Sequence, residues 1–128
     1  SVDSYHYFGN HDSYFKDCIA PVLKPDGIVA IAFPSIRQDF DFEHIPEEMK
    51  PFWDKEAFYM WRSTNWWSNI FQKHLNHFEA KEMLCFEDAW NDWLSLENEY
   101  AIADRDMMQA DGGNYMNILS ITGNVKSD

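Results

Sequence analysis

At 128 residues, 45% hydrophobic and 25% charged, the chain has the size and composition of one globular domain or part of one. A formal net charge of -12 with only 10 Lys and Arg leaves no broad phosphate-neutralising surface, so nucleic acid and anionic membranes are excluded as expected partners. Aromatic residues reach 17%, more than a small interior absorbs, so some rings are expected to line a pocket or meet a partner.

The chain opens SVDSYHYFGN. Ser1 and Val2 read as the end of a strand, and Asp3 to Gly9 as a loop rich in chemistry. Asp12 is placed to cap a helix over 13–23, in which Tyr14, Phe15, Cys18, Ile19, Val22 and Leu23 recur at helical spacing. Pro21 falls inside it and removes a backbone donor, so the last turn should kink. Lys24-Pro25-Asp26-Gly27 is a stop signal. Ile28 to Phe33 is a continuous apolar run bounded by Gly and Pro, which suits a strand covered on both faces. It is too short to span a bilayer. Helix, tight turn and buried strand make half of a βαβ unit. The other half is expected to be a strand that precedes Ser1, of which Ser1-Val2 is the end.

Residues 35–62 lack a clear period and read as an insertion, with a short helix near 54–61. Trp53, Phe58, Tyr59 and Trp61 there suit either a lid over an apolar substrate or a satellite hydrophobic cluster. Ser63, Thr64 and Asn65 are possible caps for a helix carrying Trp67, Ile70, Phe71, His74 and Leu75. A strand is expected at 78–86, near the sheet edge. One long helix is expected over 89–108, with Trp90, Trp93, Leu94, Tyr100, Ala101, Met107 and Met108 inward. Glu97, Glu99, Asp104 and Asp106 on it read as a solvated face. A turn at 110–114 leads to a last strand, 115–125. This alternation argues for an α/β fold.

Cys18 and Cys85 fall on expected apolar faces and read as reduced, buried thiols, which points to a cytoplasmic protein. His74-x-x-His77 lacks further ligands at diagnostic spacing, and no metal is expected.

In this order the residues resemble the C-terminal half of a class I S-adenosylmethionine-dependent methyltransferase. SVDSYHYFG resembles the end of that family's fourth strand and the loop after it. YFKDCIAPVLKPDGIVAIAFP resembles its next helix, Lys-Pro-Gly-Gly turn and fifth strand, with Asp26 at the first glycine of the turn. STNWWSNIFQKHL is similar to the following helix of a small-molecule subgroup. The resemblance implies a Rossmann-like sheet cut to three mixed strands with flanking helices, the fifth, seventh and sixth of the family in that spatial order. The family's glycine-rich cofactor loop and its ribose-binding acidic residue match nothing in the sequence. The cofactor-binding half is therefore expected to be absent, and the fragment inactive alone.

The resemblance also assigns roles. Ser1, Val2, Asp3 and Ser4 would lie beside the methionine part of S-adenosylmethionine. Tyr5 and Tyr7, with Trp61, Trp66 and Trp67, would line a small-molecule acceptor site. His6 would act as general base, since an imidazole titrates near neutrality; it reads equally as a packing residue. Trp66 and Trp67 are adjacent, so one enters the core and the other is free for a cavity. The open edge of the Ile28–Phe33 strand is an association hazard, and a homodimer through it is expected. The alternative is a complete, non-catalytic α+β module that binds an apolar ligand or a partner through its aromatic surface.

Overall fold

The computed structural model describes residues 1–126. The last two residues of the expected 1–128 domain, 127 and 128, lie outside the described residues. The elements are α1 (Tyr5–Phe8), a π-helical turn (Phe15–Ile19) running into a 3-10 turn (Ala20–Val22), β1 (Ile28–Ile36), α2 (Lys55–Met60), α3 (Thr64–Phe71), β2 (Leu75–Glu82), α4 (Phe86–Leu94), α5 (Glu99–Asp111) and β3 (Met116–Val125). The three strands form one sheet in the order β1-β3-β2, with β3 antiparallel to both neighbours. That is the order expected from the resemblance.

The first residues behave as the end of a strand. Val2 bridges Ala32 in parallel sense. The Asp3 N–H donates to the Ala32 carbonyl at 2.8 Å, and the Ala32 N–H donates to the Ser1 carbonyl at 3.0 Å. Asp3 then turns with φ 50, a left-handed conformation that costs most residues but that Asp tolerates. Asp3 to Gly9 is not all loop: Tyr5–Phe8 closes one helical turn, and the Tyr5 ring lies so close over Gly9 that a Cβ there would sit 2.0 Å from it.

The 13–23 helix forms with distorted geometry. Pro21 cannot donate to the Asp17 carbonyl, so the turns widen before it and tighten around it. In the turn that follows, Asp26 takes φ 56, and the Gly27 N–H returns to the Lys24 carbonyl at 2.8 Å. A Cβ on Gly27 would sit 2.8 Å from that carbonyl oxygen, so glycine is required there.

Two strand and helix boundaries differ from expectation. β2 spans Leu75–Glu82 rather than 78–86, so Leu75 belongs to the strand; the register shifts after Asn76 in a bulge, with His77 at φ 49. Phe86 consequently starts α4. The expected single helix over 89–108 is two, α4 and α5. The break works because Asn98 accepts from the Ala101 N–H at 2.9 Å and starts α5. Arg105 then donates to the Leu94 and Leu96 carbonyls at 2.7 and 2.8 Å, satisfying the end of α4. Tyr100 is exposed rather than inward.

The core has two parts. Val29, Ile31 and Phe33 of β1 and Leu119 and Ile121 of β3 point to one face and pack on Tyr5, Phe15, Trp67 and Phe71. A second cluster joins Ile36 and Met116 to Ile45, Met49, Trp53 and Phe58 of the insertion and to Trp90 and Met107. Trp53 and Phe58 are buried members of this cluster. The insertion is tied down by Ser63, whose hydroxyl donates to Asp39 at 2.6 Å, and by Ser35, whose hydroxyl donates to the Arg62 carbonyl at 2.8 Å. At the far end, the buried Asp111 carboxylate accepts from the Gly113, Tyr115 and Met116 N–H groups, each at 3.0 Å, and fixes the entry into β3.

Cys18 and Cys85 are both exposed, which corrects the expectation of buried thiols and removes the burial argument for a reducing compartment. The distorted 13–23 segment turns Cys18 outward, and the early end of β2 leaves Cys85 in the loop before α4. No helix of the described residues is long and apolar enough to cross a membrane.

Candidate functional site

The strand period that buries Ile31 and Phe33 sends Ala32 and Pro34 to the opposite face, beside Ile118 of β3. There α1 on one side and α4 and α5 on the other leave a cavity of about 780 Å³. Its walls include Val2, Asp3, His6, Tyr7, Trp61 and Asp104. Trp90, Trp93 and Tyr100 complete an aromatic lining. The cavity opens at the carboxyl end of the residue 1–3 strand, where open α/β sheets take their ligands. A depression of about 860 Å³ elsewhere is lined by Arg37 and Glu82, which already pair with each other at 2.7 Å, and by Arg105, which is spent on carbonyls.

Five of the expected site residues meet in the cavity: Val2, Asp3, His6, Tyr7 and Trp61. Five do not. Ser1 and Ser4 hydrogen-bond to each other through their hydroxyls at 2.9 Å, outside the lining. Tyr5 and Trp67 are core residues, because the α1 turn and the α3 face that carry them lie on the Phe33 side of the sheet. Trp66 stacks under the Arg62 guanidinium at 4.9 Å and at right angles to Trp67, away from the cavity. Trp61 is brought in as the residue that ends α2; its N–H donates to Phe58.

Asp104 was read as part of a solvated face and is instead half-buried in the cavity wall. Its carboxylate accepts from the Trp93 indole N–H at 2.7 Å across the α4–α5 hairpin. Burial raises its pKa, with the Trp93 hydrogen bond opposing. Asp3 is raised by burial and then by the Asp104 charge. The Tyr7 hydroxyl is raised by burial and by both carboxylates. These three groups therefore share one electrostatic environment. A helix break at Asn98 was the signal that would have placed Asp104, since it rotates the acidic positions of α5 relative to α4.

His6 is 1% exposed, its ring lying near those of Tyr7 at 4.0 Å and Trp61 at 6.0 Å. Its Nδ1 has no hydrogen-bond partner among the described residues. Burial lowers its pKa from 6.5 to about 4, so it is a neutral imidazole at neutral pH and a weak base. That favours packing over the general-base role. The unfolded chain then binds the proton that the folded chain refuses. The stabilisation from burying the neutral ring is full above pH 6.5 and is lost as pH falls through 6.5 to about 4. The loss should be on the order of 3 kcal/mol. Urea titrations across that range should show this slope, and His6→Phe should flatten it; an unchanged slope in the variant would refute the assignment.

His74 and His77 are separated by the start of β2, and among the described residues no group of His, Cys, Asp and Glu is arranged to hold a metal ion.

Comparison with known proteins agrees on architecture. No family model and no curated protein matches the chain. Among solved structures, Haemonchus contortus phosphoethanolamine N-methyltransferase 2 in complex with S-adenosyl-L-methionine matches over 100% of this chain and 32% of its own, with a TM-score of 0.67 and 17% identity. The same enzyme with phosphomonomethylethanolamine and S-adenosylhomocysteine matches over the same shares, with a TM-score of 0.63 and 17% identity. The chain thus spans about a third of the length of these structures. Strand order and these matches agree on the fold: a three-stranded sheet with flanking helices like that in the matched third of these methyltransferase structures.

Proposed function

We propose that this chain forms the acceptor side of an enzyme that transfers a methyl group from S-adenosylmethionine to a small molecule. The observation that carries the reading is the placement of Asp3, Tyr7 and Trp61 together on an aromatic-lined cavity beside the parallel Val2–Ala32 bridge. The residues suit the methyl end of the cofactor only in part. Val2 and Asp3 line the cavity and would hold that end. Nothing in the chain resembles a glycine-rich loop for the adenosine end: Gly112 and Gly113 occupy the turn after α5, both with positive φ. Full activity on this reading needs the remaining two thirds of such an enzyme, and residues 1–128 alone should be inactive.

When bound, the cofactor supplies an electrophilic methyl on a sulfonium. The chain's own residues do the rest by position. Tyr7 and Trp61 present ring faces, and Asp3 and Asp104 present negative charge, all of which favour cationic groups in the cavity. The walls exclude water and hold the acceptor in line. His6, neutral and buried, shapes the wall rather than moving a proton.

The test is formation of S-adenosylhomocysteine by full-length protein carrying this chain, offered a panel of small amines, alcohols and carboxylates. Turnover with at least one acceptor is expected; none with any would overturn the reading.

The partner expected through the sheet edge follows from the same geometry. Among the described residues, β1 has β3 on one side and, on the other, only the short bridges at Val2 and Ser63. Val2 and Ile28 are 79% and 78% exposed along that side. Residues 1–128 on their own should pair with a second copy there. Sedimentation should show a concentration-dependent dimer that Ile28→Lys disperses; a monomer at all concentrations would contradict it.

A further inference from the structure

Resting on the acceptor-side reading, we propose that the aromatic cavity binds an organic ammonium cation that carries no phosphate. Two carboxylates face the space from different elements, Asp3 beside β1 and Asp104 on α5. Rings stand around them: Tyr7, Trp61, Trp93 and Tyr100. No Lys or Arg is among the described residues that line it. A methylated ammonium is weakly hydrated, so it gives up little on entering an apolar space, and ring faces attract it. Carboxylates supply the countercharge.

His6 and Trp90, both buried, back the wall of this cavity behind the more exposed rings. One Asp104 oxygen is held by Trp93, while Asp3 is an exposed residue at the cavity's edge. Burial keeps both carboxyls above their ordinary range, and the Asp104 charge raises Asp3 further, which a bound cation would reverse. A phosphate would meet two carboxylates and no cation among the described lining residues, and like charges disfavour it.

Trp61, Trp90 and Trp93 make the site its own fluorescent reporter. The probes are choline, its neutral isostere 3,3-dimethylbutan-1-ol and phosphocholine, each titrated into the chain. Choline should give a saturable change and bind about tenfold or more tighter than either of the others. Asp104→Asn, which keeps an oxygen for Trp93, and Asp3→Asn should each weaken choline about fivefold or more with circular dichroism unchanged. Equal binding of the neutral isostere, equal or tighter binding of phosphocholine, or no saturable response to choline would overturn the inference. The two readings fail separately. Choline binding without any methyl transfer by the full-length protein would sink the enzymatic reading alone. Methyl transfer only to neutral or phosphorylated acceptors, without choline binding, would sink this one alone.

Discussion

Truncating Trp67 to alanine is expected to cost about 3–5 kcal/mol of stability, the usual range for emptying a core of an aromatic ring. Trp67 is fully buried and sits at the junction of α1, α3 and the sheet. Its ring meets Phe33 edge-on at 4.6 Å and Trp66 at 4.8 Å, and lies 6.1 Å from Tyr5 and 6.3 Å from Phe71. No nearby group can fill the space, because the surrounding rings already pack on one another. Domains of this size are stable by roughly 5–15 kcal/mol, so the variant should be close to unfolding at ordinary temperature. Trp67→Phe should be much milder, under about 1.5 kcal/mol, since it also removes an indole N–H that has no partner among the described residues. Urea midpoints of the two variants check this; a Trp67→Ala loss below about 1 kcal/mol would show that the ring is not central.

The second large effect is on activity. Trp61 is only half-buried and lies across the cavity wall from the core, with its ring 6.0 Å from His6 and nearly parallel to it. Trp61→Ala should lower kcat/KM for methyl transfer by about ten- to a hundredfold, since it removes one ring face and admits water. Most of the effect should appear in KM for the acceptor, because a wall residue acts on ground state and transition state together. Trp66→Ala is the matched control. It removes a tryptophan that lies outside the cavity against Arg62, and kcat/KM should stay within about twofold of the parent. Equal losses in both variants would mean that the assignment of the cavity is wrong.

The two predictions show where the sequence was readable. Trp66 and Trp67 were expected to divide between core and cavity. The helix carrying them directs Trp67 inward correctly, but no periodicity says what lies opposite Trp66; that neighbour is Arg62, delivered by the insertion. The strands β1 and β3 were legible because continuous apolar runs between turn residues have few other uses. The pairing of Val2 beside Ala32 was legible from the helix and strand that follow it, since a buried strand needs a neighbour.

What escaped were features decided by single residues against the local pattern. The bulge at His77 slid β2 toward the N-terminus, because Asn76-His77 carries the same turn propensity whether it ends a helix or bends a strand. Asn98 split a helix that hydrophobic spacing alone ran straight through, and the split carried Asp104 from an apparent solvent face into the site. His6 lines the cavity, and the sequence left its chemistry open between general base and packing residue. The pKa of an imidazole depends on what covers it, and the rings of Phe33, Tyr7 and Trp61 that do so are distant in sequence or hidden in the insertion. Trp53 and Phe58 left lid and satellite cluster open because the segment lacks a period; their burial comes from packing with residues of α4 and α5, which are distant in sequence.

The central claim is that the cavity at Asp3 is the acceptor side of a methyltransferase site. Its most direct test is steady-state formation of S-adenosylhomocysteine by full-length protein carrying Asp3→Ala, with folding checked by circular dichroism. A carboxylate facing the methyl end of the site should matter most when charge redistributes, so kcat/KM should fall about a hundredfold while the fold is kept. A folded Asp3→Ala protein that turns over at the parent rate would contradict the account.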